Sequence, residues 1–288
     1  MNQYASSVTL SSLQTEDKTM TYFHKLSLHP AREDFALHNH DSYEIFIFIK
    51  GNMKFVVEGS TYPLRPYDTI IIRDNEMHDI YPTGPADYER IVINISHDFF
   101  EKNNCKMYKN IFLNRPAGKN NLIPGGLVSV SEIADILPRI EKYEKEQTPV
   151  CDTVKKCAMV EILHALNHMQ PAADADSKPN STVRKVIDYI NQNLDGDLSL
   201  GHLSEQFFVS KYHLCRVFRE HTGYTISSYI TNKRLLLIRD LCRSGETISS
   251  ACISAGFSGY SSFYKAYTKA YGCSPKAGLS QADKKHPF

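Results

Sequence analysis

Two histidines and a glutamate carry the densest chemistry in the first half of the chain. The run His38-Asn39-His40-Asp41-Ser42-Tyr43-Glu44 sets imidazoles at i and i+2 and a carboxylate four residues later, and six further residues lead to Gly51. In a strand, positions i and i+2 share a face, so His38 and His40 would project together. With Glu44 and a histidine from a neighbouring strand, the place His78 would fill, they make a candidate three-histidine, one-carboxylate site for a divalent metal. The same side chains, hydrogen-bonded to one another, would equally line a pocket mouth or hold a polar small molecule.

A second set lies far along the chain. Tyr212, Cys215, Arg216 and Arg219 recur at three- and four-residue intervals opposite an apolar stripe of Leu214, Val217, Phe218 and His221, with Lys211 just before them. Tyr260, Ser261, Tyr264, Lys265 and Lys269 stand likewise outside a stripe of Phe263, Tyr267, Ala270 and Tyr271. Each outward face offers hydroxyls, rings and cations, groups able to touch base edges and phosphates. For either stretch alone, an amphipathic helix with a solvated polar face accounts for the pattern as well.

The elements that must position these residues follow from periodicity. Residues 1 to about 100 read as β structure, with short strands at 43–49, 53–57, 69–72 and 88–95 separated by turn residues such as Lys50-Gly51-Asn52 and Glu58-Gly59-Ser60. From Ser131 the period becomes helical. Ile133, Ile136, Leu137 and Ile140 form one stripe, and Val154, Cys157, Met159, Val160, Ile162, Leu163 and Leu166 form another. Residues 171–180 hold two prolines and no large apolar side chain, the composition of a linker. Beyond it, Ser199 and Ser210 are placed to cap two helices, the second ending before Gly223. Thr247 is placed to cap a third, and Gly256 permits a turn into a fourth that ends at Gly272. Each pair is helix, short turn, helix, the arrangement in which the second helix enters a DNA major groove. Residues 226–241 read as a rod joining the pairs, which would set the recognition helices near one DNA turn apart, about 34 Å.

Bulk properties agree with two soluble domains. The chain has 288 residues, of which 42% are hydrophobic and 23% charged. Its N-terminus lacks the basic start and apolar run of a secretory signal, and no run of apolar residues is long enough to span a bilayer, so a cytoplasmic location without membrane attachment is expected. Seven cysteines, an odd number without C-x-x-C spacing, read as reduced, partly buried residues. The formal net charge of +1 hides a division. Residues 182–288 hold 14 Lys+Arg against 8 Asp+Glu, a net of +6, which leaves −5 on residues 1–181. A basic C-terminal part suggests a polyanionic partner.

Two resemblances add to this reading. The His38–Gly51 spacing is similar to the first motif of cupin barrels. The second cupin motif keeps its spacing, but Tyr67, Arg73 and Asn75 occupy its usual Gly, Pro and Gly positions and Pro82 its closing Asn. The C-terminal part, about residues 198–277, resembles the AraC/XylS-type transcription regulators. The match runs through Leu200-Gly201-His202-Leu203, Ser210 to Phe218, Gly223, Arg234, Ile248 to Ala251, Ala255-Gly256-Phe257, Ser262-Phe263 and Tyr271-Gly272-Cys273-Ser274-Pro275. The resemblance places Tyr212, Cys215 and Arg216, and then Tyr260, Ser261 and Lys265, at base-reading positions. Cys215 and Ser261 replace longer polar groups, and Lys265 replaces a frequent Arg, losing its bidentate fork. Tyr267 and Tyr271 stand where the family prefers Phe, and Gly278 where it often has an aromatic residue.

The implied fold is α+β: a cupin-like effector-binding barrel with an N-terminal arm over 1–125, a helical dimerisation region over 126–170, a linker over 171–181, and an all-α domain with two helix-turn-helix units over 182–288. The apolar stripes of the helical region exceed what the barrel needs to cover. The arm, with Tyr4, Leu10, Leu13, Tyr22 and Phe23, would close over the pocket. The implied function is a sequence-specific regulator, more an activator than a repressor, answering a small polar metabolite such as a sugar held by His38, His40, Glu44 and His78. Its partners would be double-stranded DNA, the effector, a second copy and RNA polymerase. No cofactor is expected beyond the optional divalent metal. The rival reading is a metal-dependent cupin enzyme with an appended helical domain.

Overall fold

The computed structural model describes residues 7–35, 42–145, 150–169, 171 and 181–280. The chain divides into two compact units, Met1–Lys178 and Pro179–Phe288, and the division falls inside the proline-bearing stretch.

The first unit is built from antiparallel strands β1 (Ser7–Gln14), β2 (Met20–Ser27), β3 (Tyr43–Lys50), β4 (Met53–Val57), β5 (Ser60–Pro63), β6 (Thr69–Ile72), β7 (His78–Pro82), β8 (Tyr88–Ile95) and β9 (Leu122–Ile123). They form a six-stranded sheet, β1-β2-β8-β3-β6-β9, and a three-stranded sheet, β5-β4-β7. Between and after them come helices α1 (His97–Lys102), α2 (Asn110–Leu113), α3 (Gly125–Val128), α4 (Ile133–Lys145) and α5 (Cys151–His168).

Strand β3 shows why the larger sheet lies in the middle of this unit. It is apolar at nearly every position, and alternation sorts its residues into two cores. Tyr43, Ile45 and Ile47 join α4 and α5, while Phe46 and Phe48 meet Phe55, Tyr62 and Ile80 of the smaller sheet. Glu44 shares the parity of Phe46 and therefore faces the space between the sheets. The cupin positions that lack glycine keep glycine's backbone: Tyr67 and Asn75 sit at φ 66° and 68°.

One expectation is corrected here. The segment before His38 is not an arm over a pocket in its described part, since β1 and β2 pair with each other and β2 pairs with β8. Leu13 and Tyr22 are buried in the core, and the alternation that drives them there also leaves Leu10 exposed. Tyr4 lies outside the described residues. Of the apolar stripes of α4 and α5, Ile133, Ile136, Leu137, Ile140, Met159, Ile162, Leu163 and Leu166 lie in the core they share with the sheet, whereas Val154 and Val160 are half-buried and Cys157 is exposed. The short helices α1 to α3 have only four to six residues each, too few to show a period in the sequence. They bury Phe99, Phe100, Phe112 and Val128.

Polar bonds reinforce this packing. Glu141 of α4 accepts from Tyr22 at 2.8 Å and bonds His24 Nδ1 at 2.6 Å, and Ser12 N donates to Glu144. A buried network fastens the 115–121 loop: Arg115 forks onto both Glu76 oxygens at 2.8 and 2.6 Å, and Gly118 N and Asn121 Nδ2 donate to the same carboxylate. Burial opposes the charge of Glu76, but Arg115 and these donors outweigh it and hold the carboxyl below its usual range.

The second unit comprises α6 (Ser181–Gln192), α7 (Leu200–Gln206), α8 (Lys211–Thr222), α9 (Ile226–Arg243), α10 (Ile248–Ser254), α11 (Tyr260–Tyr271) and α12 (Pro275–Ser280). The side chains of Ser199, Ser210 and Thr247 each accept the backbone N–H three residues on, as their positions predict. Gly223 and Gly272 end α8 and α11 in the left-handed region. Helix α9, about 27 Å long at 1.5 Å per residue, lies between the two pairs and gives Leu235 and Ile238 to the core of the second. Arg234 of α9 donates to the carbonyls of Leu194 and Gly196 at 2.8 and 2.9 Å. The α10–α11 turn comes against the same loop, where a Cβ at Gly256 would fall 2.3 Å from Leu194 O. The two pairs are thereby fixed to each other.

Candidate functional site

The α7–α8 pair presents the face that its spacing predicts. Leu214, Val217 and Phe218 are buried, and Phe218 meets Tyr229 of α9 edge-on at 5.6 Å. His221 is half-buried and its Nδ1–H donates to the Val217 carbonyl. Lys211, Tyr212, Arg216 and Arg219 are exposed and Cys215 is half-buried. Tyr212, Cys215, Arg216 and Arg219, with residues 225–227 at the start of α9, line a groove of about 570 Å³. The groove mixes charges: Arg219 and the positive end of the α9 dipole stand with the Glu220 carboxylate in its lining. Arg216 is held on its own helix by Glu220 at 2.9 Å, an exposed pair that a stronger acceptor can displace at small cost.

In the α10–α11 pair, Phe263 and Tyr267 are buried, and Tyr260, Ser261, Tyr264, Lys265 and Lys269 are exposed. Ala270 and Tyr271, expected in the buried stripe, are exposed as well. The chain turns back at Gly272, so Cys273 and Leu279 close that end of the core instead. The Tyr260 and Tyr264 rings lie 6.1 Å apart on the outward face.

Sequence reasoning missed Phe208. It sits in the α7–α8 turn at φ 54° with 95% of its surface exposed. Its counterpart in the later turn is Gly256, and comparison of the two repeats is the signal that would have found it. Glu220 and the start of α9 were also missed, because neither belongs to the stripe that defined the face.

In the first unit, Glu44 and His78 come together. His78 Nε2 lies 4.0 Å from Glu44 Oε2, and Nδ1–H donates to the Glu76 carbonyl at 2.9 Å, which turns Nε2 towards the acid. The imidazole stacks on Phe55 with centroids 5.9 Å apart. Tyr88 is buried on the same side, where burial and the charge of Glu44 push its phenol up. His38 and His40 lie outside the described residues. Among the described residues no three His, Cys, Asp or Glu side chains are placed to hold a metal ion.

Comparison with known proteins matches this division of the chain. Residues 22–104 match the AraC-like ligand binding domain, and residues 203–280 match a helix-turn-helix domain family. The chain belongs to the AraC-type transcription regulators. Over 282 residues it is 23% identical to the HTH-type transcriptional activator RhaS of Escherichia fergusonii, spanning 89% of this chain and 96% of that one. It is 24% identical to the probable transcriptional regulator LumQ of Photobacterium leiognathi, over 91% and 93% of the two chains. Among solved structures it is similar to ToxT of Vibrio cholerae, with 14% identity, a TM-score of 0.40, and 91% and 98% coverage. An AraC-type regulator binds DNA through its helix-turn-helix units and a small molecule through its N-terminal domain. The enzyme reading has no support among these relatives. No helix among the described residues is long and apolar enough to cross a membrane.

Proposed function

We propose that this regulator is a transcription activator controlled by a small polar metabolite, of the size and chemistry of a sugar or sugar derivative, bound between the two sheets of the first unit. The observation that carries the effector class is the Glu44–His78 pair at 4.0 Å among Phe46, Phe55 and Tyr88. A carboxylate and an imidazole exchange hydrogen bonds with hydroxyls, and flat rings accept the C–H faces of a sugar. His38 and His40 are expected to complete the set. The effector acts by binding one conformation of the protein more tightly than the other. The same reading includes a cytoplasmic homodimer that contacts RNA polymerase. On the DNA side, Tyr212, Cys215 and Arg216 of α8 and Tyr260, Ser261 and Lys265 of α11 meet base edges. Lys211, Arg219, Tyr264 and Lys269 meet the backbone.

A thermal-shift screen of monosaccharides, sugar acids and polyols on the full chain tests the effector class. A ligand present at 100 times its Kd should add about 2.7 kcal/mol to the stability of the unit that binds it. Glu44→Gln should remove that gain while leaving the unliganded transition in place. A gain that survives both Glu44→Gln and His78→Gln would contradict this location.

A further inference from the structure

Helix α5 carries on its exposed face a histidine pair that the regulator's chemistry does not use. His164 and His168 are one helical turn apart, both exposed, with ring centroids 4.4 Å from each other. Their Nδ1 atoms are both occupied. His168 Nδ1–H donates to the His164 carbonyl at 2.8 Å, and because a carbonyl can only accept, this bond fixes the tautomer and leaves a lone pair on Nε2. His164 Nδ1 lies 2.8 Å from the hydroxyl of Tyr108. A phenol hydroxyl accepts as well as donates, and where it accepts, His164 holds its proton on Nδ1 and presents a lone pair at Nε2. Two imidazoles at i and i+4, one with Nδ1–H on a carbonyl and the other with Nδ1 bonded to a hydroxyl that can accept, have the outer-shell arrangement that orients metal-binding histidines.

We propose that His164 and His168 form a two-histidine site for a borderline divalent transition metal, Ni²⁺, Cu²⁺ or Zn²⁺, bound through both Nε2 atoms. Neutral imidazole selects these ions over Mg²⁺ and Ca²⁺, which prefer oxygen. No third His, Cys, Asp or Glu among the described residues joins the pair. Water fills the remaining positions, and the ion exchanges with solvent. Tyr108 is a positioning residue: its oxygen accepts from Nδ1–H of His164 in the metal-bound form. Bound metal cross-links the last two turns of α5, a helix whose other face is packed in the core.

The test is calorimetric titration of the full chain with NiCl₂ under a non-thiol reductant, alongside His164→Ala, His168→Ala, Tyr108→Phe and a His38→Ala, His40→Ala double variant. The proposal expects one Ni²⁺ site whose affinity falls at least about tenfold in either His164→Ala or His168→Ala, and by a smaller factor in Tyr108→Phe. The double variant should keep that site. Both single histidine side chains are exposed, so circular dichroism should show unchanged folding. An unchanged affinity in both single variants, or loss of the site only in the double variant, would overturn the proposal.

Discussion

The turn of the first helix-turn-helix unit holds Phe208 where the turn of the second holds Gly256, and the two backbones agree. Each residue is left-handed, and the next N–H returns to a carbonyl five residues back, Val209 to Ser204 and Phe257 to Cys252. The surroundings differ. Gly256 is pressed against Leu194 O and Arg234, while Phe208 projects into solvent. The reading faces differ in the same spirit. Helix α8 starts from a serine cap and carries Arg216 and Arg219, whereas α11 starts at Gly259 without a side-chain cap and carries Lys265 and Lys269. On the proposed reading, the first helix-turn-helix would make the more directed contact and the second the closer internal packing with looser electrostatic contact. A repeated skeleton therefore does not imply a repeated role.

The comparison breaks most severely at the turns. Gly256→Ala places a Cβ 2.3 Å from a backbone oxygen in a left-handed residue, so it should cost about 3 kcal/mol or more of the second unit's stability. Phe208→Gly should change stability by no more than about 1 kcal/mol, because it relieves a left-handed side chain that touches little. Denaturant midpoints of the two variants decide the matter, and equal losses would mean that the turns are not different.

At the reading faces, Arg216→Ala should cost about 1–3 kcal/mol on the specific site and much less on random DNA. Lys265→Ala should weaken both by a similar, smaller amount and reduce the salt slope by about 1. Equal behaviour of the two variants on both DNAs would erase the distinction between arginine-led and lysine-led reading.

A smaller effect concerns Gly278. The hydroxyl of buried Tyr267 stands 2.2 Å from where a Cβ at residue 278 would sit. The tyrosine oxygen thus occupies space that a side chain would take, which joins two departures from the family pattern into one substitution pair. Gly278→Ala should destabilise the chain, and Tyr267→Phe in the same molecule should recover about 1 kcal/mol, read as the coupling in a double-mutant cycle. Additive effects would separate the two positions again.

Much of the second unit was legible because its signals are local. Caps at Ser199, Ser210 and Thr247, glycines at 223, 256 and 272, and stripes at helical spacing each act within one or two turns, and the structure follows them. The misplacement of Ala270 and Tyr271 came from extending a stripe past the point where the chain turns back. The first unit was legible as strands but not as a sheet order. Nothing near Ser7 or Met20 announces that the hairpin pairs with β8, about 70 residues on, and the Arg115–Glu76 pair joins residues 39 positions apart. Of the four residues proposed for the effector, Glu44 and His78 lie 4.0 Å apart, while His38 and His40 lie outside the described residues.

The most direct test of the whole account is a hydroxyl-radical footprint of the purified protein on the DNA upstream of its own gene. Two units fixed by α9 and the 194–196 loop should protect two segments on one face of the duplex, about 10 base pairs apart, per bound copy. Arg216→Ala should weaken protection at one segment before the other. A single protected segment for each bound copy, or protection spread without preference along the DNA, would contradict it.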